Sequence, residues 1–195
     1  GLVVPPREIS YKHATLDWWR WALESKPFTF EVDACAGNQR YTLPNGAPVF
    51  FLAGVGFSGE DPPSLDVFRE TNCFVPTNAY LMIPAVNSAS ALDPKNKSSV
   101  EILSDKKRTT RSPTVYLLDQ DIPSWLVSHS LEVDKKVVTT SGYKILSKLE
   151  RFTVPAVDAI NFVGQSYGVW NLLRPLSPGR HEVRLCSSVD ADKEK

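Results

Sequence analysis

The stretch Tyr167-Gly168-Val169-Trp170-Asn171-Leu172-Leu173-Arg174-Pro175-Leu176-Ser177-Pro178-Gly179-Arg180-His181-Glu182-Val183-Arg184-Leu185 decides how this chain is read. Two apolar arms flank a segment in which Pro175, Pro178 and Gly179 favour a reversal of the chain. Residues 167–173 and 181–185 therefore read as a closing hairpin. In its second arm His181, Val183 and Leu185 fall on one face. Glu182, Arg184 and Cys186 fall on the other, as in a half-buried strand. From Ser187 onward the sequence turns charged, and residues 188–195 are expected to be a disordered tail.

The same signals recur upstream. In residues 125–133, Val127, His129, Leu131 and Val133 alternate with Leu126, Ser128, Ser130 and Glu132. Asp134-Lys135-Lys136 then reads as a hairpin turn into Val137-Val138. Residues 114–118 form another strand-like run. Residues 49–53 are continuously apolar, as in a strand buried on both faces. Residues 71–75 and 80–86 are strand-like and separated by Pro76. Pro84 makes the second of them an edge strand or a bulged one. Residues 143–154 fit either strand or helix. Residues 87–113 are polar and read as the longest loop. Many short strands with Pro- and Gly-rich turns predict a mostly-β fold, a β-sandwich or jelly roll.

One helix is expected, over residues 14–25, with Thr15 as N-cap and Pro27 ending it. Ala14, Trp18, Trp21 and Ala22 share one face, while Leu16, Trp19 and Leu23 lie nearly opposite. Only Asp17, Arg20 and Glu24 form a polar stripe. So much apolar circumference on a short helix predicts burial, with the tryptophans in the core and not on a sugar-stacking surface. Pro5-Pro6 oppose helix, so residues 1–10 read as an extended arm on a single β-rich domain of residues 11–187.

With 195 residues, 42% of them hydrophobic and 23% charged, the chain is long enough for one real core. Its 22 basic and 22 acidic residues give a net charge of zero. That excludes a strong electrostatic preference for nucleic acid or an anionic membrane. The basic run at 106–111 has no interleaved aromatics and reads as a solvated loop. No apolar run approaches a membrane span. The chain opens at Gly1 without Met, as expected of a mature or trimmed product. Asn96-Lys97-Ser98 is a glycosylation sequon that matters only in a eukaryotic source.

Several segments in this order resemble a family of small secreted bacterial proteins of unassigned function. They are Tyr11 with Trp18-Trp19-Arg20-Trp21-Ala22-Leu23, Pro48-Val49-Phe50-Phe51-Leu52-Ala53-Gly54, Cys73-Phe74-Val75-Pro76, and Trp170-Asn171-Leu172-Leu173-Arg174-Pro175-Leu176-Ser177-Pro178-Gly179-Arg180-His181. The resemblance covers most of residues 11–185. It implies a secreted or periplasmic, compact, mostly-β protein in which Cys35 and Cys73 are disulfide-bonded. A bridge closing that loop would stabilise by about 3–4 kcal/mol. Cys186 is then left over and expected as a small core residue. Asp33, Gln39, Asn87 and His181 stand at polar positions of the pattern and are the candidate binding residues. The chain departs from the pattern at Ala14 and at Phe50 or Phe51, where the family has Trp, and at Thr77-Asn78, where it has Gly-Lys. It also has Lys135 where the family has Gly, which argues against a tight type I′ turn.

Other constellations carry less. Gly164-Gln165-Ser166-Tyr167-Gly168 matches G-x-S-x-G, but a strand and not a helix follows it, so Ser166 is not expected to be a nucleophile. His13, His129 and His181 are far apart, and none has the spacing of a metal-ligand pair. Asp119 with Asp121, and Glu60 with Asp61 and Asp66, read first as solvated loop charge. Calcium is the one cofactor they leave open. With no catalytic set, the expected function is a secreted non-catalytic binding or structural protein. Its partner would be an extracellular ligand or another copy of itself. The alternative is a hydrolytic or metal-assisted enzyme whose polar site is built from separate strands.

Overall fold

The computed structural model describes residues 1–22, 41–52, 72–92, 126–147, 150–154 and 160–189. Asp33, Cys35, Gln39, the 106–111 and 114–118 segments, the Asn96 sequon and both acidic loops lie outside the described residues.

The fold is mostly β with one N-terminal helix. In chain order the elements are α1 (Lys12–Ala22), β1 (Val49–Phe51), β2 (Tyr80–Leu92), β3 (Leu126–Val133), β4 (Lys136–Thr139), β5 (Tyr143–Leu146), β6 (Glu150–Val154), β7 (Ile160–Leu173) and β8 (Val183–Val189). Strands β1, β2, β7 and β5 form one sheet in that order, with β6 also on β7. A second sheet has the order β4-β3-β8. Among the described residues β1–β2 is the one parallel pair, and the other pairs are antiparallel.

Alternation along the strands builds two apolar layers. On β1, β2 and β7, Phe51, Met82, Trp170 and Leu172 face one way and meet Ala14, Trp18, Trp21 and Ala22 of α1. Phe50, Leu81, Ile83 and Leu173 face the other way and meet Leu131 and Val133 of the second sheet. The larger sheet is thus covered on both faces, which is why 49–53 reads as unbroken apolar sequence. Trp18 joins the layers: its ring packs edge-on to Trp170 at 5.7 Å and its indole N–H donates to the Leu52 carbonyl at 3.0 Å. Trp21 and Leu16 are fully buried, and Asp17 pairs with Arg20 on the open side.

Strand β7 is the spine. One edge pairs with β2 from Leu81↔Leu173 to Leu92↔Val163. The other edge takes three pieces in series: Val3 opposite Leu173, β5 opposite Tyr167–Trp170, and β6 opposite Ile160–Gly164. The N-terminal arm is part of the fold, since Val4 is fully buried and donates its N–H to the Leu172 carbonyl at 2.8 Å.

The structure corrects several expectations. Thr15 is no N-cap. It lies inside α1, where its hydroxyl donates back to the Lys12 carbonyl at 2.8 Å and its own N–H donates to Tyr11. Residues 72–76 are not a strand; they run irregularly into a turn closed by Ala79 N–H on the Pro76 carbonyl at 3.0 Å. Residues 87–92 are strand and not loop, because the backbone of β7 pairs them whatever their polarity. Pro84 is accommodated by a bulge between Pro84 and Val86 inside the sheet. Residues 143–154 supply two strands. β8 runs through Ser187 to Val189, into the expected tail. The closing hairpin does not exist: β7 and β8 belong to different sheets, and the 174–182 linker crosses from one to the other. The turn after β3 is tight after all. Asp134 and Lys135 take φ of 52° and 64°, the two left-handed residues of a type I′ reversal.

Candidate functional site

The crossing linker and the irregular 72–79 segment enclose a cleft of about 200 Å³. Its walls are Leu52, Val75, Leu81, Leu176 and Val183, and Thr77, Ser177 and His181 stand at its polar rim. Beside it Phe74 is wholly exposed, while its neighbours Cys73 and Val75 turn inward. Alternation along an extended backbone produces this arrangement.

His181 is fixed by elements far apart in sequence. Its Nδ1 lies 2.8 Å from Asp134 Oδ2 in the β3–β4 turn, and its Nε2 lies 2.8 Å from the Ser177 carbonyl oxygen. Both partners only accept, so the geometry favours a ring that donates from both nitrogens, as an imidazolium does. These contacts hold the His181 pKa above its ordinary value. Asp134 is held the opposite way, below the usual carboxylate range, by the Glu182 N–H at 3.0 Å and by His181. The Asp134 N–H also donates to the Glu182 carbonyl at 2.8 Å. This carboxylate anchors the left-handed turn against the end of the linker at His181 and Glu182, which explains why Lys135 is tolerated where Gly would be expected.

Asp134, His181 and Ser177 have the connectivity of an acyl-transfer triad, with Ser177 Oγ 3.2 Å from Nε2. The carbonyl at 2.8 Å is closer and keeps a proton on Nε2. While both nitrogens carry protons the ring has no lone pair to take the hydroxyl proton, and in that state the arrangement acts as a clamp.

Among the described residues the other candidates do not converge. Asn87, half-buried on β2, pairs with Gly168 on the helix-facing side of the sheet, and its Nδ2 has no partner among the described residues. His181 belongs to the opposite, inter-sheet side. Ser166 is fully buried in the middle of β7. It is held by its N–H to Ser147 Oγ at 2.9 Å, so the G-x-S-x-G match forms no elbow. Cys186 is exposed, not a core residue. It lies opposite Ser130, whereas His129 lies opposite Ser187, so strand alternation puts thiol and imidazole on opposite faces. His129 is buried against Asn171 Nδ2 at 3.4 Å, and desolvation pushes its pKa down. A wider, more open depression of about 530 Å³ over β3 and β8 is lined mainly by serines. Among the described residues no three His, Cys, Asp or Glu side chains gather where a metal could bind. Likewise, none of the described helices is long and apolar enough to cross a membrane.

Sequence reading named His181 as a candidate and did not name Asp134 or Ser177 beside it. The i, i+4 spacing of Ser177 and His181 was visible. The contact with Asp134 depends on the crossover and was not. No known protein family, curated protein or solved structure matches the chain.

Proposed function

We propose that this is a secreted, non-catalytic binding protein that receives a small apolar group in the cleft between the 72–81 segment and the 174–182 linker. The observation that carries the reading is the cleft itself: concave, apolar-walled and rimmed by a few fixed polar groups, as ligand sites are. At about 200 Å³ it is smaller than the usual range of roughly 300–1,000 Å³ for small-molecule sites. That suits a single ring or a branched alkyl group, such as one side chain of a larger partner, with Phe74 as a second contact outside. Secretion and the Cys35–Cys73 bridge belong to the same proposal and are supported by the family resemblance.

Fluorobenzene followed by ¹⁹F NMR tests it. Binding should be lost in Leu176→Trp, which fills the cleft from a half-buried position. It should persist in Phe74→Ser, whose side chain lies outside. Binding undiminished by Leu176→Trp would sink the reading.

A hydrolytic reading has one observation in its favour, the 3.2 Å approach of Ser177 Oγ to His181 Nε2. It requires turnover of an ester substrate that Ser177→Ala and His181→Gln both abolish. A broad esterase screen of the purified protein decides between the two readings.

A further inference from the structure

We propose that protonation of His181 closes the cleft, so that it holds its apolar ligand under mildly acidic conditions and releases it under alkaline ones. This deepens the binding reading above and depends on it.

The argument is one of counting donors. Two acceptors face the ring, the Asp134 carboxylate and the Ser177 carbonyl. A neutral imidazole has one N–H and can serve only one of them. The carboxylate keeps it, being charged and already held by the Glu182 N–H. Nε2 therefore sheds its proton and meets the Ser177 carbonyl lone pair to lone pair, which drives them apart. The Ser177 hydroxyl, 3.2 Å away, can then turn and donate to Nε2 instead.

Leu176 and Ser177 are themselves cleft wall, so releasing this carbonyl loosens the site directly. Among the described residues the linker has no ladder pairing of its own between Leu173 and Val183. Its other ties lie at its two ends, where Arg174 pairs with Glu8 and donates its backbone N–H to Leu2, and where Glu182 bonds through its backbone N–H and carbonyl to Asp134.

The surrounding charges leave His181 as the group that titrates near neutrality. The turn and β4 bring Asp134, Lys135 and Lys136, and the linker brings Arg180 and Glu182. The facing 72–81 segment carries Tyr80 but no carboxylate, amine or titrating thiol. Hydrogen bonds from Asp134 and the Ser177 carbonyl both favour the charged ring.

The experiment measures fluorobenzene affinity by ¹⁹F NMR across the titration, together with ¹⁵N spectra of the His181 ring and amide exchange along residues 174–182. Affinity should be roughly tenfold weaker at about pH 8.5 than at about pH 5.5, a typical coupling between two sites. The pH dependence should vanish in His181→Phe, with His181→Gln as the second variant should the first misfold. A change of less than about twofold, or one that survives in these variants, overturns the inference. If fluorobenzene binds at no pH, the cleft reading fails by itself and amide exchange decides the clamp. Faster exchange at 176–178 as the ring loses its proton supports it, and unchanged exchange overturns it.

Discussion

Lys135 shows what a single residue concedes to the fold. Its φ of 64° costs an L side chain about 1–2 kcal/mol. Replacing it with glycine should therefore raise stability by about 1 kcal/mol, read as a higher urea midpoint with unchanged slope. A lower midpoint would mean that the Lys135 side chain contributes contacts that outweigh the strain. Gly142 is the converse case. A Cβ there would lie 2.5 Å from Val169 Cγ1 and 3.2 Å from the Trp170 carbonyl. Gly142→Ala should cost about 1–3 kcal/mol, as overpacked sites do. Trp18→Ala or Trp21→Ala should cost about 3–5 kcal/mol in chemical denaturation. The burial of the tryptophans was legible because periodicity reports circumference. The left-handed turn was not, because its compensation comes from Glu182 and His181, distant in sequence.

At the scale of elements, the strands were easier to recognise than their partners. Alternation marked β3 and β8, and the unbroken apolar run marked β1. Nothing in 167–185 says that its two arms join different sheets, because a proline-rich reversal looks the same whether it closes a hairpin or bridges a sandwich. Polar residues likewise hid the far half of β2, whose strand character comes from the backbone of β7. The clamp across the linker has a defined pH signature. His181 has a raised folded pKa, so its contribution is full below its ordinary 6.5 and is lost as pH rises through the folded value. Asp134 has a lowered one, so its contribution is present above its ordinary 3.8 and is lost as pH falls through the folded value. The stability difference between wild type and His181→Phe should therefore be greatest between these two ordinary values and shrink on either side, as measured by urea midpoints at each pH. Buried neutral His129 titrates with the opposite sign, destabilising the fold as pH drops below 6.5, but it is common to both proteins and cancels in the difference.

For the whole molecule, the mostly-β class with one N-terminal helix followed from composition and pattern, whereas the order of the layers and the site came only from the crossing between sheets. Of the four candidate residues read from sequence, His181 reaches the cleft and Asn87 lies on the other face of the sheet. Thiol chemistry tests the molecule at this scale. A maleimide should label Cys186 in the native protein, since it is exposed. Denaturation without reductant should reveal no further thiol if Cys35 and Cys73 are bridged; two more would end that proposal. The position of β7 has a consequence for how the protein is made. The helix layer, the N-terminal arm, β2, β5 and β6 all dock on β7, a strand that follows every one of them in sequence and ends at Leu173. On the ribosome these earlier segments emerge with no spine to pair with, so little of the large sheet can form before residues 160–173 are available. Folding is then a late event with long-range closures, slow by topology, and the nascent chain exposes its tryptophan-rich start throughout. Nascent chains arrested before residue 160 should be cleaved readily by protease, and chains released after residue 189 should resist it.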